Sequence, residues 1–156
     1  MKKCIKCGSK SLTQKTEQLL FNDVALVEGT VYTCDQCGSR YEALARIEQL
    51  SKNVAHFIAH KEERLAPEQV RFLRTYLGLA SKDLAKFLDV APETVSRWES
   101  KTTPMLMELR TEKLLRFMAL NDKPISDYGL DRAGTKEKTA TKPVFKQRAG
   151  IWGAQI

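Results

Sequence analysis

The chain is 156 residues long, 42% hydrophobic and 29% charged, with a formal charge of +7 and a pI near 9.3. That size and apolar content suit one domain or two small ones with folded cores, and no apolar stretch approaches the length of a membrane span. The positive excess points towards a polyanionic partner without requiring one. No phosphate-cradling glycine loop, no metal with an open coordination position and no nucleophile with a histidine base is found, which argues against an enzyme.

Cys4-x-x-Cys7-Gly8 is echoed by Cys34-x-x-Cys37-Gly38, with 26 residues between the pairs, and these are all the cysteines in the chain. Each Cys-x-x-Cys turn presents two thiolates to one metal, and the glycine lets backbone amides turn towards the sulfurs. Two such turns predict one tetrahedral zinc site, structural because four protein ligands leave no position for water or substrate. Iron in a rubredoxin-like site accepts the same four thiolates. A disulfide framework is the competing reading, but no apolar signal peptide follows Met1-Lys2-Lys3, so a reducing, cytoplasmic compartment is expected. Between the knuckles, residues 13–21 and 24–32 are rich in β-formers and are joined at Asn22-Asp23, which predicts a hairpin. Residues 1–41 thus read as a zinc-pinned domain, its metal supplying folding free energy on the order of 10 kcal/mol.

Over residues 42–65, Leu44, Ile47, Val54, Phe57 and Ile58 recur at helical spacing, which predicts an amphipathic connecting helix whose stripe packs on its own chain or on a partner. His56 and His60 have a spacing that can bind metal, but the cysteines complete one site and no nearby carboxylate completes a second. Both read as surface residues.

Residues 66–125 form the next unit. Pro67 suits a first helical position, and Val70, Leu73 and Leu77 mark one face of a helix that Gly78 ends. A second helix, capped by Ser81 or Ala80, covers residues 82–88 with Leu84, Ala85 and Leu88 inward. Asp89-Val90-Ala91 makes a turn and Pro92 opens a third helix, the pattern of a helix-turn-helix. Val95 and Trp98 then face the core, which turns Glu93, Thr94, Arg97 and Lys101 outward. After Pro104 a further helix carries Leu106, Leu109, Leu114, Leu115, Phe117 and Met118 towards the core, leaving Arg110, Lys113 and Arg116 largely solvated.

The run Gly78-Leu79-Ala80-Ser81-Lys82-Asp83-Leu84-Ala85, followed by Val90-Ala91-Pro92-Glu93-Thr94-Val95-Ser96-Arg97-Trp98-Glu99, resembles the phage-repressor, or Xre-type, helix-turn-helix family. Joined to the two Cys-x-x-Cys pairs, the arrangement over roughly residues 1–121 resembles the MqsA-type (YgiT-type) zinc-finger and helix-turn-helix antitoxins. The resemblance implies that the third helix enters the major groove of double-stranded DNA. Arg97 matches one of the family's base readers and can donate two parallel hydrogen bonds to guanine, while Glu93 can accept from a cytosine amine or orient Arg97. Ser81, Lys82, Thr94, Ser96, Lys101, Thr102 and Thr103 stand where helix ends and hydroxyls meet phosphate, which sets register. The resemblance further implies a buried Arg74–Glu99 ion pair, a homodimer through the C-terminal domain and a toxin protein bound by the zinc domain. In such a dimer two recognition helices face successive major grooves about 34 Å apart on a partly palindromic operator. Ser81, Asp89 and Lys101 depart from the family's usual glutamine, glycine and glycine, so base preference does not transfer from relatives.

Residues 126–156 lose periodicity and read as a basic, flexible tail that strengthens nonspecific DNA binding at low salt. Val144, Phe145, Ile151, Trp152 and Ile156 are its apolar exceptions. The expected fold is therefore α+β, with a small zinc-bound hairpin domain, a connecting helix, an all-α helix-turn-helix domain and a tail. The expected function is a DNA-binding regulator, an autoregulating repressor and antitoxin. The alternative is a mobile-element or phage regulator with no toxin, its zinc domain serving as a protein platform.

Overall fold

The computed structural model describes residues 3–129, 144–148 and 151–155, and a small antiparallel sheet precedes a run of helices. β1 (Leu12–Phe21) pairs with β2 (Ala25–Cys34) in unbroken register, from Leu12 opposite Cys34 to Phe21 opposite Ala25. β3 (Arg40–Ala43) pairs with the other side of β2. Asn22 and Asp23 make the connecting turn at φ 48° and 62°, a left-handed backbone that Asn and Asp tolerate better than most residues. The Val24 N–H closes this turn on the Phe21 carbonyl at 3.0 Å. Strand alternation buries Leu19, Phe21 and Val31 on one face and leaves the cross-strand pair Leu20 and Leu26 exposed on the other. Gly29 lies on the buried side, where a Cβ would meet Leu19 and come within 2.8 Å of Leu44 Cδ2.

The helices are α1 (Ile47–His60), α2 (Pro67–Tyr76), α3 (Ser81–Phe87), α4 (Pro92–Trp98) and α5 (Leu109–Leu120). Proline opens α2 and α4 at the position where its missing N–H costs nothing. Gly78 at φ 71° and Asp89 at φ 52° supply the left-handed residues that follow α2 and α3. Contacts of α1 with α2 and α5, of α2 with α5 and of α3 with α4 enclose Ile58, Val70, Leu73, Leu84, Val95, Trp98, Leu115 and Met118. Phe21 joins the same core, with its ring edge-on to Phe72 at a centroid distance of 6.0 Å. Sheet and helices therefore share one packed interior, and the hairpin turn is carried to the side of α2.

Several details differ from the sequence pattern. Residues 42–65 are not one helix, because residues 40–43 pair with β2 and Arg46 takes φ 50° before α1 begins. Phe57 is 76% exposed, and the residues α1 buries are Ala55, Ile58 and Ala59. The helix after Pro104 starts at Leu109; Leu106 and Phe117 stay exposed, and Met107 is buried instead. Arg116 is not solvated. Its guanidinium donates to the carbonyls of Ala59, Lys61 and Glu63, which satisfies the end of α1, and to Glu112 Oε1 at 2.7 Å. Glu112 is 1% exposed and also accepts from Arg64 Nε at 2.6 Å and from the Leu65 amide at 3.1 Å. Burial pushes its pKa up, but the hydrogen bonds from Arg64, Arg116 and Leu65 outweigh that and hold it below the usual range.

His56 likewise has a partner. Asp122, at φ 54° just past α5, accepts from Lys52 Nζ at 2.5 Å, Tyr76 Oη at 2.6 Å and His56 Nε2 at 2.9 Å, tying α1 and α2 to the end of α5. Lys52 foremost, with Tyr76 and His56, holds the Asp122 carboxyl far below the usual range. The expectation of a flexible basic tail falls largely on residues 130–143, 149–150 and 156, which lie outside the described residues. In the described part of residues 126–156, where no periodicity is expected, β4 (Val144–Arg148) and β5 (Ile151–Gln155) pair as antiparallel strands.

Candidate metal centre and nucleic-acid interface

The two cysteine turns have the same backbone design. In the first, the Cys4 amide donates to the Ser9 carbonyl at 2.8 Å and the Gly8 amide to the Cys4 carbonyl at 2.9 Å; Cys34, Gly38 and Ser39 repeat both bonds at 2.9 Å. Gly8 and Gly38 adopt φ 74° and 69°, a conformation open to glycine at no steric cost. The sheet brings the turns together, since Cys34 ends β2 directly opposite the start of β1. All four sulfurs lie within 4.8 Å of one another, with Cys4 Sγ to Cys37 Sγ and Cys7 Sγ to Cys34 Sγ both 3.6 Å. These are not disulfides, whose sulfurs are about 2.05 Å apart. Sulfurs bound at about 2.3 Å around a tetrahedral metal are separated by about 3.8 Å, so the cluster can hold a metal ion.

Two further residues support the cluster. The buried Tyr41 hydroxyl lacks a regular hydrogen bond and faces the Cys4 sulfur. It is the main reason the Cys4 thiol is pulled down to about 6, and Cys4 in turn pushes Tyr41 up to about 12. A metal-bound thiolate would be the acceptor this hydroxyl otherwise lacks. Asp35, inside the second knuckle, accepts from Ser11 Oγ and Thr13 Oγ1 at 2.7 Å each, and those bonds lower its pKa. That link fastens the second knuckle to the start of β1.

In the helical part of the chain, α3 and α4 pack on each other across residues 88–91, with Leu84, Ala85, Val95 and Trp98 buried in the shared core. Burying Val95 and Trp98 exposes Glu93, Ser96 and Arg97 on α4, with Thr94 partly covered. Lys82 is exposed and Ser81 partly covered at the start of α3, while Lys101 and Thr102 are exposed in the loop after α4. Among the described residues no ion pair joins Glu93 to Arg97, although their spacing permits one; the guanidinium stands without a carboxylate. Arg74 and Glu99 form a two-pronged pair, Nε to Oε1 at 2.5 Å and Nη2 to Oε2 at 3.0 Å, with side chains 10% and 11% exposed. Arg74 Nη1 also reaches the Leu79 carbonyl at 2.7 Å. The pair fixes the end of α4 to α2 and to the segment leading into α3. Beyond it, Ser100 Oγ accepts from the Thr103 amide at 3.1 Å and lies within hydrogen-bond distance of both threonine hydroxyls, shaping the loop that carries Lys101.

Comparison with known proteins finds no matching family model, no matching curated protein and no matching solved structure. The reading of both sites therefore rests on their own chemistry. Sequence reasoning missed Tyr41, whose role depends on β3 pairing with β2, and Asp35, which only a three-dimensional view joins to Ser11 and Thr13. It also missed Asp23, whose carboxylate accepts from Lys101 Nζ at 3.1 Å.

Proposed function

We propose that this protein is a sequence-specific DNA-binding transcriptional regulator whose four-cysteine site holds a structural zinc ion. The observation that carries the reading is α4 itself: one face is locked in the core by Val95, Trp98 and the Arg74–Glu99 pair, and the opposite face offers Arg97, which has no carboxylate partner among the described residues, beside Glu93. In a helix-turn-helix of this kind α4 lies in the major groove, Arg97 donates to guanine O6 and N7, and Glu93 accepts from a cytosine amine. Ser81, Lys82, Thr94, Ser96, Lys101 and Thr102 hold phosphates and fix the register. Four thiolates saturate a zinc ion, so the metal supplies folding energy. With a metal-bound thiolate as acceptor, the Tyr41 hydroxyl that faces Cys4 would donate to its sulfur and steady its charge.

The resemblance to MqsA-type antitoxins extends the proposal to an autoregulating repressor that binds a partly palindromic operator as a homodimer and meets a toxin through its zinc module. The exposed Leu20–Leu26 pair on the free face of the sheet favours a second reading, in which that module is a protein-docking platform in a regulator without a toxin. Selection of bound duplexes from a random DNA pool tests the core claim. Two half-sites spaced by one helical turn are expected to emerge; a pool with no enriched sequence would leave only nonspecific binding and sink it.

A further inference from the structure

We propose that Asp23, on the hairpin turn of the cysteine module, sets DNA affinity by holding Lys101 away from phosphate. The inference rests on the DNA-binding reading above and gives the hairpin a part in it. The two residues lie 78 positions apart in sequence, yet Asp23 Oδ2 and Lys101 Nζ are 3.1 Å apart. Nothing local brings them together. The turn is delivered by Phe21, buried against Phe72, and by the left-handed pair Asn22-Asp23, while Lys101 is presented by the loop that Ser100 ties down.

The pair is a poor stabiliser. Its side chains are 61% and 57% exposed, and ion pairs in that setting contribute little to folding. Its consequence falls instead on the ammonium group, which can neutralise Asp23 or a DNA phosphate but not both without setting the carboxylate beside the phosphate. A cleft of about 810 Å³, lined by Leu20, Asn22, Asp23, Arg71, Glu99 and Lys101, leaves the turn and the lysine room to part. DNA binding therefore includes breaking this contact, and the cysteine module acts as an electrostatic brake on the module that carries α4.

The test uses the full-length, metal-loaded protein, with its selected duplex and a scrambled duplex at two salt concentrations. Asp23→Asn keeps a side chain that tolerates φ 62° and removes the charge. It is expected to tighten binding to both duplexes by about two- to fivefold, with a salt slope steeper by about one phosphate contact. That gain is expected to vanish in the Lys101→Ala background and to exceed the effect of Glu28→Gln, which removes an exposed charge elsewhere on the same hairpin. No gain from Asp23→Asn, an undiminished gain without Lys101, or an equal gain from Glu28→Gln overturns the proposal. If wild type still prefers its selected duplex and loses that preference on Arg97→Ala, the brake alone has failed; if wild type binds neither duplex, the DNA reading fails with it.

Discussion

Glu112 offers a severe test of how the helical core is held. Replacing it with alanine removes the carboxylate that receives Arg64, Arg116 and the Leu65 amide, and so strands the largely buried Arg116 guanidinium and an orphan N–H. Breaking a buried ion pair from one side costs about 3 to 5 kcal/mol. In a chain of this length each kcal/mol shifts the midpoint by about 2 to 4 °C, so thermal unfolding followed by circular dichroism should move down by about 10 °C. Glu112→Gln, which keeps an acceptor oxygen, should lose less. The pH dependence has a definite sign. Because the folded-state pKa lies below the ordinary 4.5, the carboxylate contributes stability that is complete above pH 4.5 and drains away as the pH falls through the folded value. Both variants should therefore lose less stability than wild type on acidification below pH 4.5. A midpoint for Glu112→Ala within about 2 °C of wild type would refute the reasoning, since the network would then contribute no more than a typical surface substitution.

Three further outcomes are expected. Tyr41→Phe removes the donor facing Cys4 and should weaken metal binding by about tenfold in a chelator competition, without changing the stoichiometry of one ion per chain. Gly29→Ala forces a methyl group onto Leu19 and Leu44 and should destabilise the metal-loaded protein by about 1 to 3 kcal/mol in urea unfolding. Arg74→Ala leaves the Glu99 carboxylate buried without its cation and should cost about 3 to 5 kcal/mol by the same assay, with DNA affinity falling because the end of α4 is released.

What could be read from sequence follows from the range of each interaction. The cysteine pairs, the hairpin with its Asn22-Asp23 turn, and the proline and glycine punctuation of α2 to α4 are local signals, and each lies where the pattern puts it. Hydrophobic periodicity failed where polar groups took core positions. Glu112, buried, and Arg116, largely buried, stand one turn apart on α5 and satisfy each other and the end of α1, while the apolar Leu109 and Phe117 of the same helix lie outside. The third strand was hidden because Arg40, Glu42 and Ala43 carry weak β character, Tyr41 alone favours a strand, and the four residues are held by pairing with β2. At the four-cysteine cluster the candidate ligands were legible from spacing, whereas Tyr41 and Asp35 were not, since their roles depend on strand pairing. The contact between Asp23 and Lys101 is legible only once Phe21 is seen to share the helical core.

The central claim is that α4 reads bases through Arg97. Its most direct test is the ratio of affinities for the selected duplex and a scrambled one, measured at matched salt for wild type and for Arg97→Ala. The account predicts that the variant still binds DNA through its phosphate contacts but loses about 1 to 3 kcal/mol of discrimination, so that the ratio falls towards one. A ratio unchanged by the substitution, with both affinities lowered alike, would make Arg97 a phosphate contact and contradict the account.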